Sequence, residues 1–247
     1  MGRTAAFNSN GVMVLDTKKV KAFWDTRSRY YQALPFESIV NLEQDAQALA
    51  IKIREETHKI FAWLPGLAGK SVLDLGAGVG QWAFRFMEHG AARVTAVEFS
   101  SALVDIGRQE ARARGVDGIE FVISAAEEYL SNRLFDVVFI SGLMVYLNDD
   151  QAEALLKNMR HYTSQDTMIL LRDGTGRVQR FEINDRFSEQ LNAGYSATYR
   201  TASQYRELFA RHGFELTNDD DMFPDGHVLN KYPETRLRIY QFRKRHG

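Results

Sequence analysis

Short apolar runs alternate with stretches of helical periodicity through the middle of the chain. The runs over 71–76, 94–98, 119–124, 135–141 and 167–173 predict five strands, since each is short, apolar and bounded by polar residues or glycine. Apolar positions spaced three and four apart predict helices over 81–90 and 101–114, and a third helix that begins after Asn148 or Asp149. This alternation predicts βαβ units and a mostly parallel sheet.

The two ends of the chain depart from this alternation. Helical spacing predicts two helices over 18–31 and 42–63, ahead of the sheet. Residues 174–200 are polar and aromatic without regular spacing, which indicates an insertion, and a helix over 203–213 and strands over 214–218 and 235–245 follow. The predicted fold class is therefore α/β: a doubly wound, mostly parallel, seven-stranded, Rossmann-like sheet with an antiparallel last strand, plus N-terminal helices.

Composition and charge narrow the class of protein. A chain of 247 residues, 45% of them hydrophobic, is able to bury one large core. Its 31 Lys and Arg are balanced by 32 Asp and Glu, so no global positive field favours a nucleic acid, and no nucleic-acid partner is expected. The absence of cysteine excludes disulfides and thiolate metal sites, and no metal is predicted. No apolar run reaches the roughly 18 residues of a membrane span, so we expect no membrane partner and a cytoplasmic location.

A glycine-rich turn gives the strongest local signal for function. Residues 74–80 read Asp-Leu-Gly-Ala-Gly-Val-Gly and lie between a predicted strand and a predicted helix. Glycines let the backbone approach a ligand closely, and the first N–H groups of the helix attract an anionic group. The next strand ends at Glu98, where a carboxylate is placed to accept hydrogen bonds from two ribose hydroxyls. The pair indicates a nucleoside that carries an anionic tail.

The spacing of the glycines separates two cofactor classes. A dinucleotide fingerprint of the form G-x-G-x-x-G would need a glycine at position 81, where this chain has Gln81. The sequence D-x-G-x-G-x-G instead resembles motif I of the class I S-adenosylmethionine (SAM) dependent methyltransferases. The resemblance extends from about residue 70 to residue 173. It implies SAM as the cofactor, a domain over 66–247 with an acceptor-site insertion at about 174–200, and a helical lid or cap region over 1–65.

The resemblance also implies roles for individual residues around SAM. The methionine tail would lie among Asp74, Gly76, Ala77 and Gly78, and Glu98 would bind the ribose. Phe99 would flank the adenine, and Ala125 stands where the family often has an acid that meets the adenine amino group. That departure leaves the adenine to main-chain groups of Ala126 or to Glu127. Ser141 would lie beside the sulfonium, and N-terminal helices commonly cover SAM, which places Tyr30 or Tyr31 near its carboxylate.

The acceptor site is expected after the carboxyl ends of the strands, where open α/β sheets bind their ligands. We assign catalysis to Tyr146, Arg172 and His227, and acceptor binding to Met144, Tyr195, Tyr199 and Arg200. The predicted function is methyl transfer to the oxygen or nitrogen of a small molecule, with an anionic acceptor as one hypothesis. An NAD(P)-binding oxidoreductase and a non-catalytic SAM-binding protein are the alternatives, and the sequence leaves the oligomeric state open.

Overall fold

The N-terminal elements come before the main sheet in the chain. In the computed structural model, which describes residues 6–7, 13–29, 33–41, 43, 45–188 and 193–245, a short antiparallel pair, β1 (Ala6–Phe7) and β2 (Met13–Val14), precedes helix α1 (Thr17–Ser28). A 3-10 turn (Phe36–Ser38) and helix α2 (Ala46–Trp63) follow. Both helices are shorter than predicted: α2 begins at Ala46 because the side chain of Asp45 accepts a hydrogen bond from the Ala48 N–H and so caps it.

The central part of the chain contains the predicted strands and helices. Its elements, in order, are β3 (Ser71–Leu75), α3 (Gln81–Glu88), β4 (Arg93–Glu98), α4 (Ser101–Arg114), β5 (Ile119–Ile123), β6 (Val137–Ser141), a 3-10 turn (Met144–Tyr146), α5 (Asp149–Met159) and β7 (Met168–Gly176). The continuous burial of β3 is typical of a central parallel strand covered on both faces.

The insertion after β7 is a β-hairpin, which the sequence did not predict. Strands β8 (Phe181–Ser188) and β9 (Ala193–Tyr199) pair antiparallel apart from the main sheet. The register shifts between Ile183 and Arg186, and Asp185 within that shift has a φ of 47°. This irregularity breaks the period-two pattern by which a strand is recognised in a sequence.

The last elements complete the sheet. Helix α6 (Ala202–Arg211) is followed by β10 (Phe214–Asp221) and β11 (Thr235–Lys244). The strand order is β10-β11-β7-β6-β3-β4-β5, and β11 is antiparallel to both of its neighbours while β3 to β7 pair in parallel. The prediction of a seven-stranded, mostly parallel sheet with an antiparallel last strand is confirmed.

Helices cover both faces of the sheet and bury a separate apolar core on each. Apolar residues of α5 and α6 pack on one face, and those of α2, α3 and α4 pack on the other. The strand order turns back on either side of β3 and β6, so the carboxyl ends of these two strands border a crevice. None of the helices in the described ranges has the length and apolar character that crossing a bilayer requires.

Candidate cofactor and acceptor site

The turn between β3 and α3 is held in a shape that only glycine adopts without strain. Gly76, Gly78 and Gly80 have φ angles of 75°, 58° and 84°. A Cβ on Gly78 would also lie 2.8 Å from Cγ1 of Val40, which covers the turn from the N-terminal region. The glycines therefore allow the turn to curve tightly, and at Gly78 they also allow the Val40 side chain to pack closely against the backbone.

Glu98 lies beside this turn, at the end of β4. Its two carboxylate oxygens accept hydrogen bonds from the backbone N–H groups of Gly78, at 3.0 Å, and Ser100, at 2.9 Å. The side chain is buried, and burial raises the pKa of Glu98 to about 7 against the opposing effect of those N–H groups. Each oxygen accepts more than one hydrogen bond in proteins, so both keep a free lone pair for a ligand hydroxyl.

Asp74 lies at the same strand end as the turn but deeper in the protein. It is 1% exposed, and its Oδ2 has no hydrogen-bond partner among the described residues. Burial, with the neighbouring charge of Glu98, raises the pKa of Asp74 to about 8. It is not among the residues that line the cavity described next, so its contact with a methionine tail stays a prediction.

One cavity of about 1450 Å³ extends from the glycine turn to the ends of β6 and β7. It brings together most of the predicted site residues, from the turn, from the segments after β4, β5 and β6, from β7 and from the hairpin. Those that line it are Gly76, Ala77, Gly78, Glu98, Phe99, Ala125, Ala126, Glu127, Ser141, Tyr146, Arg172, Tyr195 and Tyr199. Tyr30 and Tyr31 lie outside the described residues.

The structure does not bring Arg200 into this cavity. The residue is 2% exposed, and its guanidinium donates to the carbonyl oxygens of Met144, at 2.8 Å, and Leu147, at 2.9 Å. Its Nε donates to Asp149 at 3.0 Å, so the side chain joins the 3-10 turn to the start of α5. In this arrangement Arg200 stabilises the 3-10 turn that carries Tyr146 and is not placed to contact an acceptor.

His227 and Met144 also lie away from the lining. The His227 ring stacks on Phe223 with centroids 5.0 Å apart, and its Nε2 is 3.1 Å from a carboxylate oxygen of Glu55. The Met144 side chain is fully buried, while its backbone N–H donates to Asp173 at 2.7 Å. Neither side chain is placed to contact an acceptor, because the ring nitrogens of His227 are paired within the protein and the Met144 side chain is enclosed in the core.

Arg172 faces the cavity as part of a buried ion pair. The side chain lies at the end of β7, where its Nη2 pairs with Glu56 of α2 and its Nη1 donates to the Ser141 hydroxyl at 3.2 Å. The Glu56 side chain is only 4% exposed. Lys52, one helical turn earlier, also lines the cavity and donates to the Asn41 side chain at 2.8 Å, and burial lowers the pKa of Lys52.

Sequence reasoning missed Lys52 and Glu56. The signal was present, since two charged residues four apart interrupt the apolar positions of α2. Charged residues on a surface helix are normally solvent-exposed, however, so the spacing alone does not point to a site. Only the ion pair between Glu56 and Arg172 shows that this side of α2 lies at the end of β7.

Three tyrosines and Asp173 form another part of the cavity wall. Hydroxyl groups connect Tyr146 to Tyr195 at 3.3 Å and Tyr195 to Tyr199 at 3.1 Å. Burial raises the pKa of all three phenols, so they are neutral at physiological pH. Asp173 lines the cavity beside them, accepts from the N–H groups of Met144 and Gly174, and has its pKa raised by burial to about 6.

The N-terminal region packs against the cofactor side of the cavity. The Gln81 side chain donates to the Phe36 carbonyl at 2.9 Å, and Arg85 of α3 pairs with Glu37. Arg27 of α1 donates to the carbonyl oxygens of Ser38 and Ile39. Segment 36–41 is thus attached both to α1 and to the helix that follows the glycine turn.

Known methyltransferases are similar to this chain in sequence around the glycine turn and in fold. Residues 72–166 match a family described as a methyltransferase domain. Phosphoethanolamine N-methyltransferase 1 of Triticum aestivum is 28% identical over 162 residues, which are 64% of this chain and 31% of that enzyme. This chain spans about a third of the length of the first curated relatives that it matches.

Solved structures share the architecture at low sequence identity. Phosphoethanolamine N-methyltransferase 1 of Haemonchus contortus, solved with phosphoethanolamine and S-adenosylhomocysteine (SAH), gives a TM-score of 0.70 at 21% identity, over 91% of this chain and 48% of that one. A Burkholderia thailandensis 1,6-didemethyltoxoflavin-N1-methyltransferase, solved with its acceptor and SAH, gives 0.67 at 17% identity, over 94% and 92%. The chain therefore has the fold of these SAM-dependent methyltransferases, and its match to the methyltransferase domain covers the glycine turn.

Proposed function

We propose that this chain binds SAM at the glycine turn and transfers its methyl group to a small acceptor that carries an anionic group. The observation that carries the proposal is the continuity of the cavity. The same space reaches Gly78 and Glu98 at one end and Arg172 at the other, so a cofactor and an acceptor fit side by side.

The residues present fit SAM. Gly76 and Gly78 line the cavity in left-handed conformations without a Cβ, and Glu98 keeps lone pairs for the ribose hydroxyls. When bound, SAM supplies a methyl group on positively charged sulfur, which needs no further activation. The predicted contacts of Phe99, Ala125, Ala126 and Glu127 with the adenine are supported by their position along the cavity wall after β4 and β5.

The residues of this chain would contribute position and shielding from water. Glu98 fixes the ribose, and the N-terminal region over 1–65 acts as a lid that excludes water, since Val40 packs directly on Gly78. Lys21 of α1 lies over the Phe99 ring at 5.3 Å, which places α1 above the expected adenine position. Holding acceptor and methyl carbon in line accounts for most of what such a transfer requires.

The choice of an anionic acceptor rests on the cations near β7. Arg172 and Lys52 face the cavity from neighbouring elements, and a phosphate or carboxylate would compete with Glu56 for the guanidinium. The curated relatives are named as phosphoethanolamine N-methyltransferases, which makes phosphoethanolamine the first acceptor to test. Tyr146 and Arg172 remain the residues we expect closest to the reaction.

Calorimetry followed by an activity assay tests the proposal. We expect SAH to bind with a dissociation constant in the micromolar range and NADH not to bind. Labelled SAM should then transfer its methyl group to at least one member of a panel of small phosphates and carboxylates that begins with phosphoethanolamine. A folded protein that ignores SAH at millimolar concentration would overturn the cofactor assignment. Tight SAH binding without transfer to any acceptor of the panel would favour the non-catalytic alternative.

A further inference from the structure

Asp173 is a buried acid at the acceptor end of the cavity. Asp173 is fully buried, and the residues of the described ranges give it no ion pair within 4.0 Å. The nearest arginines in sequence are engaged elsewhere, Arg172 with Glu56 and Arg200 with Asp149. The carboxylate oxygens accept hydrogen bonds from the backbone N–H groups of Met144 and Gly174, and a positive ligand group in the cavity would stabilise the buried charge further.

Aromatic rings stand at right angles to one another beside this acid. The Trp24 and Tyr146 planes meet at 86° with centroids 5.4 Å apart, and the Tyr146 and Tyr195 planes meet at 90° with centroids 6.1 Å apart. All three residues line the cavity. Perpendicular rings present their electron-rich faces in different directions, which is the arrangement that attracts an alkylated ammonium group.

Gly174 allows the Tyr199 ring to pack beside Tyr195, next to these aromatic residues. A Cβ on Gly174 would lie 2.7 Å from the ring of Tyr199, so only glycine at this position lets the ring lie against β7. The Tyr199 hydroxyl then reaches Tyr195 at 3.1 Å and fixes its orientation. The rings are therefore held in place by hydrogen bonds and packing before any ligand arrives.

We propose that Asp173, Trp24, Tyr146 and Tyr195 form a subsite for the nitrogen of an amine acceptor, so that the methyl group is transferred to nitrogen. This rests on the proposed function and specifies its acceptor atom. An ammonium first releases one proton to solvent, and the freed lone pair forms the nitrogen–carbon bond. The carbon–sulfur bond breaks as this bond forms, and its electron pair stays on sulfur. The products are SAH and a methylated ammonium, which the same rings continue to attract.

The test uses tetramethylammonium as a probe for the subsite alone. It is titrated into the protein by calorimetry, with and without SAH, against sodium chloride at equal ionic strength. We expect saturable binding that weakens at least about tenfold in Asp173→Asn and in Tyr195→Leu. Asp166→Asn removes a charge from an exposed position outside the cavity and should leave the affinity unchanged.

Two measurements keep the result interpretable. Circular dichroism and SAH affinity establish that each variant is folded, and Tyr195→Leu tests the subsite independently if Asp173→Asn fails to fold. Probe binding that is absent from the unaltered protein, or that survives both substitutions, would overturn the subsite. Failure to bind SAH would instead overturn the proposed function, so the two outcomes are distinguishable.

Discussion

The two halves of the cavity are built in different ways. The cofactor half comes from one stretch of chain, since β3, its glycine turn and the end of β4 lie within residues 71–98 and pair directly through Leu75 and Val97. The acceptor half is assembled from α1, α2, the ends of β6 and β7 and the hairpin. The first half is a local motif, whereas the second depends on how distant elements pack. Substitutions should therefore disturb the two halves differently.

The largest effect is expected where the acceptor half depends on a buried ion pair. Arg172→Leu leaves the Glu56 carboxylate buried without a partner, which should lower the free energy of unfolding by about 3 to 5 kcal/mol. Urea denaturation measures the loss. The double variant Arg172→Leu/Glu56→Leu should recover most of it, because no unpaired charge remains. A single variant as stable as the parent would show that the pair is solvated and not part of an enclosed wall.

Breaking the glycine turn tests the local half. Gly78→Ala places a Cβ in a left-handed conformation and against Val40, which should cost about 2 to 3 kcal/mol and weaken SAH binding at least tenfold. Gly115→Ala is the matched control, since its φ is 65° and nothing lies within 4 Å of the added Cβ. The control should lose stability but keep SAH affinity. Equal SAH affinities in the two variants would contradict a ligand at the turn.

Substitution of Glu98, the last residue of β4, tests the cofactor half of the cavity further. Glu98→Ala should weaken SAM binding by about 1 to 3 kcal/mol, because the ribose hydroxyls would lose a charged partner in a buried site. Calorimetry on the folded variant measures the change, and Glu207→Ala, on an exposed position of α6, provides the control. Unchanged affinity in Glu98→Ala would remove the assigned ribose contact.

The last prediction concerns the slope of stability against pH. The folded protein raises the pKa of Asp74 to about 8, far above the usual value of 3.8, so it binds more protons than the unfolded chain between those values. The group therefore lowers the free energy of unfolding as pH rises from about 4 to 8, by up to about 1.4 kcal/mol per pH unit. Denaturation of the ligand-free protein across this range should show a shallower decline in Asp74→Asn. Parallel profiles for the two proteins would mean that Asp74 titrates normally.

The sequence by itself determined the cofactor half. Asp74, the three glycines and Glu98 follow a strand, a turn, a helix and a second strand, and hydrogen bonds between neighbours fix that geometry. Parallel pairing of β3 with β4 then brings Glu98 to the turn without reference to the rest of the fold. The seven strands of the main sheet were predicted for the same reason, since apolar periodicity is a local property.

Only the tertiary structure decided the acceptor half. The sequence alone does not show which of Arg172 and Arg200 contacts an acceptor. In the structure Arg172 faces the cavity, whereas the Arg200 guanidinium donates its hydrogen bonds to backbone carbonyl oxygens outside it. Lys52 and Glu56 belong to the cavity lining because α2 lies at the end of β7. His227 is not part of the lining because its ring is paired with Glu55 and stacked on Phe223. Crossing angles and hydrogen-bond partners arise from packing between residues far apart in the chain, which no periodicity in the sequence encodes.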